Sequence, residues 1–382
     1  MTGARPADGL ARIDGPGLTI IAGGGTAGHV EPALAVADAL VSLGHHPDSI
    51  LFVGSRRGVE ARTVPEAGFP IVLLPGRGIV RKVGWPAVEA MLGLSVAAAR
   101  ATRLLRRRRP GIVLSVGGYA SAPASSAAIA LGVPLVIAEQ NAVPGAANRL
   151  AARWARAAAV SFAGTPLPHA VVTGNPVRAA VVGVSRAPDA RRAARAVLGL
   201  PDGRRVVAVS GGSLGARRIN DAVIELARLW SDRGDLAIHH AIGRRDWPSF
   251  SGRLPTGGRI HYQAVEYEER MPALLAAADV WIGRAGGSTV AELTAVGVPS
   301  ILVPLPIAPH DHQAVQARQI EAAGGCVVIL DADVTTSRIA AELERLFGEP
   351  GALERMGAAA GSMGHPDAAA RVAELLEQHR RD

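Results

Sequence analysis

The sequence of 382 residues predicts an α/β protein built from two Rossmann-like halves, each with a parallel sheet. Three observations carry that expectation. Short apolar runs alternate with helical patterns along the chain. Glycine pairs follow strand candidates at Gly117-Gly118, Gly211-Gly212 and Gly286-Gly287. Near the middle, Thr173-Gly174-Asn175-Pro176-Val177-Arg178 combines a glycine, a proline and a turn-favouring asparagine, as a hinge requires.

Taken in order, Met1 to Gly17 contains Asp8, Asp14 and scattered Pro and Gly with no apolar core, so it reads as a flexible arm and not a signal peptide. Leu18–Ala22 is the first strand. It runs into Gly23-Gly24-Gly25-Thr26-Ala27-Gly28-His29, where glycines let a ligand approach the backbone and a helix start favours an anion or an oxygen-rich group. Val30, Leu34, Ala37 and Val41 then recur at helical spacing until Gly44 stops the run. Ile50–Val53, Ile71–Leu74, Ile112–Val116 and Leu135–Ala138 are the remaining strands of the first half. In the second half the strands are Val206–Ser210, Ala237–Ile242, Val280–Gly283, Ser300–Val303 and Cys326–Leu330. Ile219, Val223, Leu226 and Trp230 mark the helix after the second glycine loop. Val372, Leu375 and Leu376 mark a last helix, started by Pro366-Asp367 and expected to pack back on the first half. The expected boundaries are an arm at 1–17, a first domain at 18–172, a hinge at 173–178, a second domain at 179–363 and a returning helix at 364–382.

Composition narrows the function. Basic residues outnumber acidic ones 41 to 33, and this excess fits phosphate, nucleic acid or anionic lipid. Nucleic acid is the weakest of these, because aromatic platforms for bases make up only 3% of the chain. A lone cysteine, Cys326, excludes an internal disulfide and a cysteine-rich metal site, and points to a reducing compartment, by default the cytoplasm. The uncharged stretch Ile112 to Ala138 is broken by Gly117-Gly118, Pro123 and Gly132-Val133-Pro134, so it reads as a buried βαβ unit and not a membrane span.

His29, in the first turn of a helix aimed at a ligand, is a candidate general base. The glycine loop before it also satisfies a dinucleotide pattern. Val53-Gly54-Ser55-Arg56-Arg57 offers arginines where an NAD enzyme would show a carboxylate, so an NADP oxidoreductase stays open, although it explains neither His29 nor the second-half loops. No Gly-Lys-Ser/Thr follows, which excludes a Walker A loop. The second half offers what a nucleotide diphosphate needs. Gly211-Gly212-Ser213-Leu214-Gly215-Ala216-Arg217 supplies amides and a hydroxyl, Arg178 a fork-shaped cation, and Glu292 a carboxylate one turn after Arg284-Ala285-Gly286-Gly287-Ser288-Thr289, placed for ribose hydroxyls.

The ordered set GGGTAGHVEP, GGYASAP, EQNAVPGAAN, TGNPVR, GGSLGARRIN, GRAGGSTVAE and PHDHQ resembles the MurG family of bacterial cell-wall N-acetylglucosaminyltransferases over roughly residues 18 to 376. The resemblance implies a GT-B fold, two Rossmann-like domains facing a central cleft, with the donor in the C-terminal domain and the lipid acceptor in the N-terminal one. It implies an inverting transfer of GlcNAc from UDP-GlcNAc to the muramyl 4-hydroxyl of lipid I, giving lipid II. By motif position, Ser213 and Arg178 would contact the diphosphate and Glu292 the ribose. Gly287, Ser288, Thr289 and Val290 would line the nucleotide and phosphate region. His312, Gln313 and Asn141 would hold the sugar hydroxyls, and Thr26, Ala27 and Gly28 would line the sugar and acceptor diphosphate side. His29 is then the favoured base, Glu139 its rival, and Tyr119 an assistant. No cofactor and no metal is implied. Four positions depart from the family pattern: Ala27, Ala138, Leu214 and Gln316.

The segment Arg77-Gly78-Ile79-Val80-Arg81-Lys82-Val83-Gly84-Trp85, then Met91-Leu92-Gly93-Leu94, Arg100, Arg103 and Arg106 to Arg109, sets apolar groups beside cations. On pattern alone it is an amphipathic helix with a solvated arginine end. The resemblance assigns it to docking on the anionic inner leaflet, a peripheral position at the cytoplasmic face of the cell membrane, beside other cell-wall synthesis enzymes. Other readings remain: a natural-product glycosyltransferase or UDP-GlcNAc epimerase of the same fold, and a scaffold that has lost catalysis.

Overall fold

The computed structural model describes residues 15, 17–75, 85–118, 120–212 and 215–381, with the backbone alone for 85–92. The expected arm, the stretch 76–84, Tyr119, Ser213 and Leu214 therefore lie wholly or largely outside the described residues.

The chain forms two compact units, 1–178 with 366–382, and 179–365. In the first, the strands are β1 (Thr19–Gly23), β2 (Ile50–Ser55), β3 (Ile71–Leu74), β4 (Ile112–Gly117), β5 (Leu135–Glu139), β6 (Ala157–Val160) and β7 (Ala170–Val172). The helices between them are α1 (Ala27–Ser42), α2 (Glu60–Glu66), α3 (Trp85–Arg108), α4 (Ser121–Ala130) and α5 (Ala146–Ala151). The second unit holds β8 (Arg205–Ser210), β9 (Leu236–Ala241), β10 (His261–Val265), β11 (Val280–Gly283), β12 (Ser300–Leu302) and β13 (Cys326–Val328). Its helices are α6 (Ala179–Val182), α7 (Pro188–Leu198), α8 (Arg217–Leu229), α9 (Trp247–Phe250), α10 (Met271–Ala277), α11 (Gly287–Val296), α12 (His312–Ala322), α13 (Thr336–Gly348) and α14 (Ala352–Ser362). The last helix, α15 (Ala368–His379), belongs to the first unit.

Among the described residues the first sheet runs β3-β2-β1-β4-β5-β6-β7 and the second β10-β9-β8-β11-β12-β13, every pairing parallel. In both sheets the order reverses direction beside the first strand of the unit, between β1 and β4 and between β8 and β11. Connections leave opposite faces there, so the carboxyl ends of those strands open into a crevice where ligands bind. This topology selects four loops out of the whole chain: those after Gly23, Gly117, Ser210 and Gly283.

Helices cover both faces because the central strands are apolar on both sides, as in β1, which is buried along its whole length. One face of the first sheet packs against α1 through Val30, Leu34, Ala37 and Leu40, and Val372, Leu375 and Leu376 of α15 complete the same cluster. The terminal helix is also tied by polar contacts. Arg371 donates to the Val172 carbonyl at 2.6 Å and Arg380 to the Thr19 hydroxyl at 2.6 Å.

The paired histidines of β9 are core residues. His239 Nε2 meets Glu268 at 2.8 Å, and His240 is held between the Tyr262 hydroxyl at 2.9 Å and Asn220 Oδ1 at 3.0 Å. Neither ring is exposed. Burial pushes the His240 pKa down to about 3, with the neighbouring His239 adding to the effect.

Candidate active site

In the first unit the site forms where the β1–α1, β4–α4 and β5–α5 loops converge. The turn after β1 needs glycine, since Gly24 has φ of 143° and Gly25 φ of 97°. Thr26 then takes an extended N-cap conformation and α1 begins at Ala27, which places His29 on the first turn. The Thr26 hydroxyl lies 3.1 Å from His29 Nδ1. The His29 ring lies against Gly117, where a Cβ would stand 3.3 Å from its Cδ2 and 3.4 Å from Nε2. A side chain at 117 would press on the ring, so glycine here leaves the ring its position.

A cavity of about 380 Å³ opens beside His29, lined also by Leu94, Glu139, Asn141 and Asn148. Burial lowers the His29 pKa, while the charges of Glu139 and then Glu60 raise it against that trend. A ring kept neutral near pH 7 by burial can accept a proton.

Glu139 is buried at the end of β5 and its carboxylate is heavily engaged. It accepts from the Asn141 backbone N–H at 3.1 Å, Asn141 Nδ2 at 3.2 Å, the Gly145 N–H at 3.0 Å and Asn148 Nδ2 at 3.0 Å. Asn148 in turn donates to the Ala138 carbonyl at 3.0 Å and accepts from the Ser115 hydroxyl at 3.2 Å. The two residues hold the β5–α5 loop in place, and Asn141 rides on that loop. Asn148 was absent from the sequence expectation although it closes the EQNAVPGAAN motif.

Glu60 was missed as well. Its carboxylate is buried beneath the first glycine turn and accepts from the Gly25 N–H at 2.8 Å and the Ser55 N–H at 2.8 Å. A dinucleotide pyrophosphate would need the Gly25 amide and would meet this carboxylate instead, so the loop does not suit NADP.

The second unit brings another set of residues to its own switch point. Gly286 is the N-cap of α11 with no side-chain cap, so Gly287, Ser288, Thr289 and Val290 form the first turn of a helix whose N-terminus carries partial positive charge. Glu292 stands one turn further, half-buried. The approach to this helix is braced from below. Arg284 pairs with Asp331 at 2.7 Å and donates to the Val303 and Pro304 carbonyls, while the buried Gln316 amide donates to the Ala285 carbonyl. Gln316 thus supports the loop from the core of the unit. Before α12, His310 and Asp311 take left-handed φ values of 53° and 55°. The turn brings His312 and Gln313 to the helix start, where His312 Nδ1 lies 2.9 Å from the Pro309 carbonyl and Gln313 Oε1 accepts from the Leu305 N–H at 2.9 Å.

Arg178 ends the first unit and pairs with Glu31 of α1 at 3.0 Å. Tyr119 and Ser213 lie outside the described residues. Among the described residues, no group of three or more His, Cys, Asp or Glu could hold a metal ion.

Comparison with known proteins matches both halves of the chain. The glycosyltransferase family 28 N-terminal domain matches residues 19–160 and the C-terminal domain residues 206–372. The chain is 42% identical over 359 residues to the UDP-N-acetylglucosamine--N-acetylmuramyl-(pentapeptide) pyrophosphoryl-undecaprenol N-acetylglucosamine transferase of Clavibacter michiganensis, covering 94% of this chain and 95% of the relative. A protein of the same name from a Nocardioides species is 42% identical over 94% of this chain and 96% of its own. The crystal structure of Acinetobacter baumannii MurG superposes with a TM-score of 0.71 at 27% identity, covering 94% of this chain and 99% of that one. With both domains matched and identity sustained from end to end, the chain belongs to the MurG family of N-acetylglucosaminyltransferases, within glycosyltransferase family 28.

Proposed function

We propose that this chain transfers GlcNAc from UDP-GlcNAc to the 4-hydroxyl of the muramyl sugar of undecaprenyl-pyrophosphoryl-MurNAc-pentapeptide, inverting the anomeric centre and giving lipid II. The donor and the lipid-linked acceptor are those named in its relatives. The observation that carries the reading to residues is the His29 ring lining a cavity that also takes in Glu139, Asn141 and Asn148, with Thr26 on one ring nitrogen and no side chain at Gly117. In the tautomer that donates Nδ1–H to the Thr26 hydroxyl, Nε2 keeps its lone pair. It takes the proton from the acceptor hydroxyl as that oxygen attacks the anomeric carbon and UDP leaves.

Glu139 serves this base as a positioning residue, since its oxygens are committed to the loop that carries Asn141. Tyr119 assists at the acceptor. Thr26, Ala27 and Gly28 face the acceptor diphosphate. The donor is read to lie on the second unit. The α11 N-terminus, with Gly287, Ser288, Thr289 and Val290, and the Ser213 loop stabilise the charge that develops on UDP through amides and a helix dipole, with Arg178 as the cation. Glu292 takes the ribose hydroxyls, and Asn141, His312 and Gln313 the sugar hydroxyls.

The lipid-linked acceptor calls for a membrane surface. Among the described residues no helix is long and apolar enough to cross a bilayer. The α3 end exposes Arg100, Arg103, Arg106 and Arg107, with Arg109 beyond it, and each cation near an anionic leaflet contributes about 1 kcal/mol. This face is assigned to peripheral docking on the inner leaflet, where other cell-wall synthesis enzymes work.

The test is turnover with UDP-GlcNAc and a soluble lipid I analogue. Wild-type protein should form the disaccharide product, and His29→Ala should lower kcat by about 100- to 10,000-fold with UDP-GlcNAc affinity nearly intact. Full turnover in His29→Ala would remove the ring from the chemistry.

A further inference from the structure

The carboxylate beneath the first glycine turn has no part in the chemistry described above, yet its surroundings are built around it. Glu60 is 1% exposed, and its two oxygens each accept a backbone N–H at 2.8 Å, from Gly25 in the turn and from Ser55 at the end of β2. Three glycines, Gly24, Gly54 and Gly58, lie so close that a Cβ on any of them would overlap the Glu60 side chain. The carboxylate therefore ties the turn before Thr26, thirty-five residues away, to the end of the neighbouring strand and the short loop that leads from it into its own helix.

We propose that Glu60 is a positioning residue of the acceptor site, clamping the glycine turn to the β2 end and so setting where Thr26 and His29 stand. The inference rests on the functional reading above. A turn containing consecutive residues at positive φ is held only if its amides have fixed partners, and the Gly25 N–H finds its partner in this buried charge. The buried carboxylate in turn is met by these two amides, the charge-assisted hydrogen bonds that a carboxylate removed from water requires.

The same charge acts on the ring across the turn. Among the described residues the charged groups facing His29 are Glu139 from the end of β5 and Glu60 from α2, and both favour the protonated ring against burial. The other elements packed on α1 leave that balance to them. β1 and β4 carry no ionisable side chain; on α2, Arg62 and Glu66 pair with each other, and α15 carries Arg371, which donates to the Val172 carbonyl, Glu374, His379, and Glu377, which meets His45 near the opposite end of α1. On α1 itself, Glu31 is paired with Arg178, which also faces Asp38.

Glu60→Gln keeps the shape but removes the charge and turns an N–H donor toward one of the two amides. Glu60→Asp keeps the charge with one methylene less reach. In Glu60→Gln, kcat for transfer to the lipid I analogue should fall by about 10- to 100-fold, because displaced reacting groups cost rate steeply. The acid limb of kcat/KM should also move to lower pH by about half a unit or more, since the ring has lost a favourable negative neighbour. Glu60→Asp should return the limb toward its wild-type position while kcat stays low. UDP-GlcNAc affinity should stay within about twofold of wild type in both variants.

A Glu60→Gln protein with wild-type kcat and an unmoved acid limb overturns the proposal. So does one that merely melts earlier while its folded fraction turns over normally. NMR titration of the His29 ring in wild type and Glu60→Gln reads the same coupling without turnover, and an unshifted ring overturns the proposal. Absence of GlcNAc transfer by the wild-type protein would instead overturn the functional reading, and the ring titration still decides the role of Glu60.

Discussion

At His29 two opposing effects act on the ring pKa. Burial is the larger and lowers the ring pKa below its usual 6.5, while Glu139 and Glu60 pull it back. A general base must be neutral to act, so kcat/KM should hold its plateau through neutral pH and fall only as pH drops through a midpoint below 6.5. An initial-rate profile at subsaturating acceptor checks this, and a midpoint above neutral would contradict it. His240 makes a separate prediction, for stability. Its folded pKa of about 3 lies below the unfolded value of 6.5, so the unfolded chain takes up a proton first as pH falls. The contribution is full above the unfolded value and is lost as pH falls toward the folded one. Acidification to pH of about 5 should cost about 2 kcal/mol at this residue. His240→Gln should therefore show a shallower fall in melting temperature with acid than the wild-type chain.

At the scale of elements, most of the sheet was legible because central parallel strands are apolar on both faces and stand out as continuous runs. The strands that escaped notice are explained by their composition and place. β6 reads Ala-Ala-Ala-Val, β7 is a largely exposed edge, and β10 is a half-buried edge whose His261, Tyr262 and Gln263 break the apolar pattern. Helix spacing was more reliable, as α1, α8 and α15 each bury the residues that the periodicity selects. Leu376 of α15 is fully buried in the cluster it shares with α1. Leu376→Ala should destabilise the first unit by about 2–5 kcal/mol, which chemical denaturation would measure.

For the whole molecule, the division into units is discontinuous in sequence on one side only. Residues 179–365 are contiguous, whereas the first unit needs 366–382 to complete it. A fragment of 179–365 should fold and melt cooperatively. A fragment of 1–178 should not, because the α1 face covered by Val372 and Leu376 would be left open to water, and adding 366–382 in trans should restore its structure. Circular dichroism of the separate fragments distinguishes these outcomes.

The sequence by itself determined the class of fold, the glycine loops and the family, because these reside in local patterns: apolar runs, helical spacing and short motifs that a linear reading can see. It also singled out His29, whose place in a helix's first turn after a glycine loop is a local property. Only the tertiary structure brings the carboxylates of Glu139 and Glu60 into the surroundings of that ring. Glu60 lies thirty-five residues from Gly25, and nothing in its local pattern separates it from any helix-start acid. Glu139, a rival base by its motif position, accepts hydrogen bonds from Asn141, Gly145 and Asn148 that its own sequence neighbourhood does not announce. A hydrogen bond between distant segments depends on how strands are ordered in the sheet, and that order is a property of the folded chain alone.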